Sequence, residues 1–183
     1  MGRFSILGAI LLFCATSAMA QGIEGVHSSV PPGQLQLGVG VTFVSFSEAP
    51  GTTENNVGVN ASVVDYRDWM GVEGQVSDAF GSQSGQMTQV LFTGGGIRLR
   101  WTKPRAFQPW IHGVIGYSHL SPLPTFGSAS AFGYKAGGGL DIKPHHGRIG
   151  FRVGADFFGT RFFHTYQDSP EVSAGIIFLI GHN

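Results

Sequence analysis

The 183-residue chain has few charged residues and a single cysteine. Lys, Arg, Asp and Glu make up 12% of it, against about 25% in average soluble domains. The sequence therefore lacks the heavily charged surface of a typical cytosolic enzyme. Its formal net charge is zero, which removes the basic footprint of a nucleic-acid-binding protein. One cysteine, Cys14, excludes a framework of internal disulfides.

Long apolar runs are also missing after residue 20. The longest stretch, 174–181, is far shorter than the roughly 20 residues of a membrane helix. If the chain enters a membrane, it must therefore do so as a closed β-barrel, the other structure that satisfies the backbone in lipid.

The first twenty residues have the organisation of a cleaved secretory signal peptide. Arg3 supplies the positive start, residues 6–13 form a short apolar centre, and Ala18-Met19-Ala20 is a small-x-small cleavage site. We expect residues 1–20 to be removed on export. The sequence further predicts a flexible periplasmic lead-in at 21–33 and one barrel domain at 34–183.

Eight segments alternate apolar and polar residues with a period of two, which predicts β-strands. In the first, Leu37, Val39 and Val41 lie on one face, and Gln36 and Thr42 lie on the other. No segment keeps a helical period. The predicted strands are 34–46, 57–66, 70–80, 88–101, 107–120, 131–143, 148–158 and 171–180.

The predicted connections alternate in length. Short turns fall at 67–69, 102–106 and 144–147, and longer loops at 47–56, 81–87, 121–130 and 159–170. This alternation is typical of outer-membrane barrels, which have short periplasmic turns and longer extracellular loops. The pattern predicts an all-β fold, an eight-stranded antiparallel up-and-down transmembrane barrel with four extracellular loops.

The two strand faces favour lipid over water as the solvent of the exterior. One face is almost free of charge, whereas a soluble barrel of the lipocalin kind would expose its charges. An Arg or Lys facing lipid costs about 2–4 kcal/mol at the bilayer midplane, so the charges should point inward. The predicted polar network of the interior is Glu73, Arg98, Arg100, Lys135, Asp141, Arg152 and Asp156.

Aromatic residues cluster near both ends of the predicted strands, as in the interfacial girdles of membrane barrels. Beside the short turns lie Tyr66, Trp69, Trp101, Phe107 and Trp110. Near the longer loops lie Phe126, Phe162, Phe163 and Tyr166.

Several stretches resemble strands of small OmpA-like and opacity-type outer-membrane barrels. These are 108–117 (QPWIHGVIGY), 136–141 (AGGGLD), 149–158 (IGFRVGADFF) and 173–178 (SAGIIF). The resemblance implies a bacterial outer-membrane protein with a role in envelope integrity, adhesion or surface display. It also implies outer-membrane lipids, lipopolysaccharide and the barrel-assembly machinery as partners. Family members usually end on an aromatic residue, whereas this chain ends Ile180-Gly181-His182-Asn183.

A hydrolytic site is an alternative interpretation. His119 and Ser121 are two residues apart and share a strand face, so the histidine could deprotonate the serine, as in lipid A deacylases. Such a site also needs an acid to orient the histidine. The neighbouring sixth strand offers only Asp141, which should point inward near the opposite end.

Other sites are not supported by the sequence. The triplets at 94–96 and 137–139 lack the Lys-Ser/Thr of a phosphate loop, so no cofactor is predicted. His145 and His146 have no acidic or cysteine partner nearby in sequence, so no metal is predicted.

The leading expectation is a non-enzymatic, monomeric barrel with a structural or surface-interaction role carried by its loops, and with no nucleic-acid partner. A lipid-modifying enzyme and a narrow ion-conducting pore are the alternatives.

Overall fold

The structure is a computed structural model that describes residues 33–49, 52–83, 86–103, 106–123, 127–143, 147–161 and 166–180. Regular secondary structure in these ranges is entirely β-strand. The strands are β1 (Gln34–Ala49), β2 (Thr52–Arg67), β3 (Met70–Gln83), β4 (Gln86–Arg100), β5 (Phe107–Leu123), β6 (Gly127–Ile142), β7 (Ile149–Thr160) and β8 (Gln167–Ile180).

The eight strands form a closed barrel in sequence order. Each strand is antiparallel to the next, and β1 closes the barrel on β8 from Leu35↔Ile180 to Val44↔Glu171. The predicted eight-stranded antiparallel fold is therefore confirmed. Across the part of the chain that the structure describes, no helix is long and apolar enough to span a membrane.

The apolar face of each strand lies on the outside of the barrel. Val39 is 57% exposed, Val72 is 69% exposed and Phe151 is 61% exposed, while Glu73 and Arg152, which follow the last two, are buried inside. Because residues opposite one another in antiparallel strands share a face, the register carries this division around the whole barrel. In water, the hydrophobic effect would favour burial of these large apolar side chains. An exterior covered by them therefore fits lipid.

The long loops predicted at one end are largely strand. The interval 47–56 was expected to be a loop, but β1 continues to Ala49 and β2 begins at Thr52. Likewise β3 ends at Gln83 and β4 begins at Gln86. Strand pairing needs only main-chain hydrogen bonds, so it continues where both faces turn polar and the period of two disappears.

Three of the hairpins at this end, called the loop end below, extend past the closed barrel, and they are β1–β2, β3–β4 and β5–β6. Pairing of β2 with β3 stops at Val57↔Phe80, whereas β3 and β4 stay paired out to Gln83↔Gln86. The strands contain 12 to 17 residues, and a membrane-spanning strand needs about 9–11. The additional strand residues form the hairpin extensions beyond the closed barrel.

The opposite end, called the turn end, has a tight connection between β2 and β3. Asp68 has a φ of 60°, a left-handed conformation that Asp tolerates better than most residues. The backbone N–H of Arg100 donates to the carbonyl oxygen of Trp69 at 2.8 Å. This bond ties the turn to the neighbouring strand β4.

Candidate functional site

The barrel interior holds a set of buried charged side chains. One of them is Glu73 on β3, which is 2% exposed. Arg98, from the adjacent strand β4, donates to Glu73 with Nε at 2.9 Å and also with Nη2. This two-point contact holds the guanidinium and carboxylate in one geometry.

His112 on β5 extends this cluster across the barrel. Its Nδ1 lies 2.8 Å from Oε2 of Glu73, and its Nε2 lies 2.9 Å from Oδ1 of Asp156 on β7. A neutral imidazole has only one N–H, whereas both ring nitrogens here face carboxylate oxygens. The geometry therefore favours a doubly protonated ring. The positive charges of Arg98 and His112 then compensate the two carboxylates of Glu73 and Asp156.

A second ion pair lies between β6 and β7. Arg152 donates to Asp141 with Nε at 2.7 Å and with Nη2 at 2.8 Å. The same guanidinium reaches across the lumen to Gln36 Oε1 at 2.9 Å and Ser62 Oγ at 3.3 Å. One side chain thereby connects β7 with β6, β1 and β2.

Trp110 on β5 separates these two arginines. The Arg98 guanidinium lies 4.0 Å from the centre of the indole ring, and that of Arg152 lies 5.3 Å from it. The indole occupies space over Gly139 and Gly154. A Cβ on Gly139 would lie 2.5 Å from the ring and collide with it, and a Cβ on Gly154 would be in tight contact at 3.1 Å. These glycines make room for a large aromatic side chain that attracts both cations.

A third ion pair lies nearer the loop end. Lys135 Nζ is 2.6 Å from Glu171 Oε2 and donates to Ser77 Oγ at 2.9 Å. Thr42 donates to the other oxygen of Glu171 at 2.7 Å. Lys135 Nζ also lies 4.9 Å from the ring of Phe92 and 5.1 Å from that of Phe158. These rings belong to an apolar cluster formed by Val44, Ala79, Val90, Phe92, Val114, Leu120 and Phe158.

Arg100 was predicted within the same network but lies apart from it at the turn end. Its Nε donates to the Asp68 carbonyl at 3.0 Å and its Nη1 to Gln34 Oε1 at 2.5 Å. Its guanidinium also covers the ring of Tyr66 at 3.9 Å. Within the described residues, these partners are neutral groups and no ion pair includes Arg100.

Lys143, just past the end of β6, closes the lumen at the turn end. Its Nζ donates to Gln108 Oε1 at 2.6 Å. Burial lowers the pKa of Lys143 from its ordinary value near 10.5 to about 8, partly offset by the charge of Asp141.

Together these side chains fill the lumen. A cavity of about 20 Å³ beside Arg152, Gly38 and Ser62 has room for about one water molecule. Eight-stranded barrels are only just wide enough for their own side chains. The chemistry of this interior is thus charge compensation and packing.

The predicted aromatic girdle needs a correction at the turn end. Trp69, Trp101 and Phe107 are exposed, but Trp110 is 3% exposed and Tyr66 is fully buried. Both side chains point into the lumen, where Arg98, Arg152 and Arg100 face their rings. Near the loop end Tyr166 is exposed, and Phe126, Phe162 and Phe163 lie outside the described residues.

His119 and Ser121 lie on the outer face of β5 near the loop end. His119 Nδ1 is 2.8 Å from Ser130 Oγ on β6. Within the described residues, no hydrogen bond joins His119 to Ser121 or to an acid. Asp141 is in the lumen with Arg152, so it cannot orient the imidazole.

Sequence reasoning did not include His112, Glu171 or Lys143 in the network. Strand alternation already carried a signal for all three. His112 is next to the outward Ile111, and Glu171 is next to the outward Val172, so both have the parity of inward residues. Lys143 follows the inward Asp141 by two positions and gave the same signal.

Some predictions fall on parts of the chain that the structure does not describe. These are the signal peptide at 1–20, all but the last residue of the lead-in at 21–33, and His145 with His146. Among the described residues, no group of three or more His, Cys, Asp or Glu side chains is placed to hold a metal ion.

A closed eight-stranded antiparallel barrel with an apolar exterior and an ion-paired interior has the architecture of small outer-membrane barrels. Comparison with solved structures agrees. The chain is similar to Neisserial surface protein A, NspA, with a TM-score of 0.64 and 12% identity over 80% of this chain and 96% of that one. It is also similar to Ail, the attachment invasion locus protein of Yersinia pestis, with a TM-score of 0.54 and 16% identity over 80% and 99%.

The outer membrane enzyme PagL has the same fold, with a TM-score of 0.51 and 16% identity over 80% of this chain and 98% of that one. No protein-family model matches the chain, and no curated protein sequence matches it. Because this fold is found in both surface proteins and an enzyme, fold alone does not decide function.

Proposed function

We propose that this protein is a bacterial outer-membrane barrel that serves as a closed anchor and displays four β-hairpins at the cell surface. The observation that carries the proposal is the inversion of the two faces. Large apolar side chains such as Val39, Val72 and Phe151 cover the outside, while Arg98, Arg152 and Lys135 are buried inside with their acids. Lipid is the solvent that suits this exterior.

The role proposed is structural or one of surface interaction, without enzymatic activity. Ion pairs and apolar packing leave the lumen without a wide path, which argues against the pore alternative. Among the residues that the structure describes, no acid bonds to His119 beside its contact with Ser130, which argues against the hydrolase alternative. A surface role also agrees with the names of two similar structures, a Neisserial surface protein and an attachment invasion protein.

The proposal includes export and assembly. Residues 1–20 act as the cleaved signal, the barrel-assembly machinery inserts the mature chain, and outer-membrane lipids and lipopolysaccharide surround it as a monomer. The mass of the mature protein tests the first step. We expect cleavage after Ala20, and a mature chain that still contains Cys14 would contradict it.

Epitope insertion in whole cells tests membrane insertion and orientation. A tag placed between Ala49 and Thr52 should bind antibody on intact cells. A matched tag in the β6–β7 connection, between Lys143 and Gly147, should bind only after the outer membrane is permeabilised. The protein should fractionate with the outer membrane and migrate faster on gels without boiling. Recovery in the soluble periplasm would overturn the proposal.

Planar-bilayer recordings and lipid analysis test the two alternatives. We expect no stable ion-sized conductance steps from the purified barrel. Regular steps altered by Arg98→Ala or Asp156→Ala would show a pore. Lipid A acylation should be the same with the native protein and with Ser121→Ala, and a difference would show a lipid-modifying enzyme.

A further inference from the structure

Polar side chains interrupt the apolar exterior near the loop end of β3 to β6. We call the group formed by Asp78, Gln89, His119, Ser121 and Ser130 the rim patch. Register places three of its members in one row, through Asp78↔Leu91, Leu91↔His119 and His119↔Ser130. Gln89↔Ser121 forms part of the next row toward the loop end. Residues distant in sequence therefore share one continuous surface.

The rim patch faces outward, away from the ion pairs of the lumen. Asp78 is paired with Val59, which is 56% exposed on the outer face. His119 is two positions beyond Tyr117 on β5 and shares its face, and Tyr117 is 52% exposed. Ser130 is related in the same way to Phe132, which is 61% exposed.

Aromatic side chains border the patch. Phe80 lies opposite Gln89, and Tyr117 lies opposite Phe132. His119 and Ser130 are each two positions farther toward the loop end than their neighbouring ring. Aromatic rings of membrane barrels mark the edge of the hydrocarbon layer, so the hydrogen-bonding groups lie at headgroup level.

Hydrogen bonds within the rim patch hold its side chains in place but use only some of their polar atoms. Gln89 Nε2 donates to both oxygens of Asp78, at 2.9 and 2.8 Å, and Asp78 is only 6% exposed. The His119–Ser130 contact uses Nδ1 of the imidazole. In the described part of the chain, Gln89 Oε1, His119 Nε2 and Ser121 Oγ are available to an outside partner.

We propose that the rim patch binds the hydroxyl-bearing sugar headgroup of a glycolipid in the outer leaflet. The free amide oxygen of Gln89, the imidazole of His119 and the hydroxyl of Ser121 provide hydrogen bonds for sugar hydroxyls, and the exposed rings beside them provide apolar contact for the acyl chains. The patch contains an acid and no Lys or Arg, so the sugar is recognised and the phosphate is not. This inference rests on the membrane insertion proposed above.

Native mass spectrometry of the barrel in phosphatidylcholine nanodiscs tests the inference. The probes are lipid A, dephosphorylated lipid A, phosphatidylglycerol and the free glucosamine disaccharide. The native protein should retain both forms of lipid A to a similar extent, and in preference to phosphatidylglycerol. Gln89→Leu and His119→Leu should each reduce retention about fivefold, the effect of losing one or two hydrogen bonds.

Thr93→Val is the matched control, since Thr93 faces outward on β4 but lies outside the rim patch, and retention should be unchanged. Equal retention by the native protein and both patch variants would overturn the inference. So would loss of binding on dephosphorylation, or equally tight binding of the free disaccharide. Heat modifiability is measured on the same samples. A barrel that inserts but does not select glycolipid refutes only the rim patch, whereas failure to insert refutes the proposed function.

Discussion

The two halves of the lumen are stabilised differently. In the turn-end half, Arg98 and Arg152 make two-point contacts with Glu73 and Asp141, and His112 joins the first pair to Asp156. In the loop-end half, the described residues form one ion pair, Lys135–Glu171, which adjoins an apolar cluster. The difference shows that a narrow lumen accepts either filling, provided that each buried charge is compensated.

The largest expected effect is the loss of a shared acid from the turn-end half. Glu73→Ala leaves Arg98 and His112 buried without one of their carboxylates, which typically destabilises by about 3–5 kcal/mol. Urea unfolding of the barrel in liposomes, followed by gel shift and tryptophan fluorescence, measures this change.

The matched control for Glu73→Ala removes both members of the ion pair. Glu73→Met with Arg98→Met should restore most of the lost stability, because an apolar replacement for a buried pair is often neutral or favourable. If the double variant is as unstable as Glu73→Ala, unpaired charge is not the cause.

A smaller effect is expected in the loop-end half, where packing replaces charge. Leu120 is 2% exposed within the apolar cluster, and Leu120→Ala should cost about 2–3 kcal/mol through lost burial and a residual cavity. The loss should be the same at pH 6 and pH 8. Ile115→Ala on the lipid-facing side of β5 is the control and should leave the lumen packing intact. A pH-dependent loss from Leu120→Ala would contradict the division into two halves.

The last expected effect concerns pH at the turn end. The folded state lowers the pKa of Lys143 to about 8, so between about pH 8 and 10.5 the unfolded chain binds more protons than the folded one. Stability from this group therefore rises with pH across that window and is flat below it. Lys143→Met should remove the rise, as shown by unfolding midpoints at pH 7, 9 and 10. An equal rise in the native protein and in Lys143→Met would assign it to another group.

Strand parity accounts for much of what could be predicted. Glu73, Lys135 and Asp156 are inward because each sits between two outward positions on its strand. The same parity places Trp110 inward, next to the outward Ile111. The interpretation of the aromatic residues as a girdle grouped Trp110 with the outward rings instead. The hairpin extensions were missed because polar residues on both strand faces give no period of two.

Contacts across the lumen could not be predicted. His112 and Asp156 are 44 positions apart, and Arg152 and Gln36 are 116 apart. Which of them meet depends on strand stagger and on the closure of β1 with β8, and a shift of register would change every partner. The rim patch depends on the same register.

By itself, the amino-acid sequence determined that eight strands form and which side chains face outward, because a strand alternates its faces whatever it pairs with. The tertiary structure alone decided which acid pairs with which base. It also decided that Arg100 lies apart from these ion pairs, and that Asp78 and His119 share one outer surface. Those outcomes depend on stagger and closure, which bring together strands far apart in the chain.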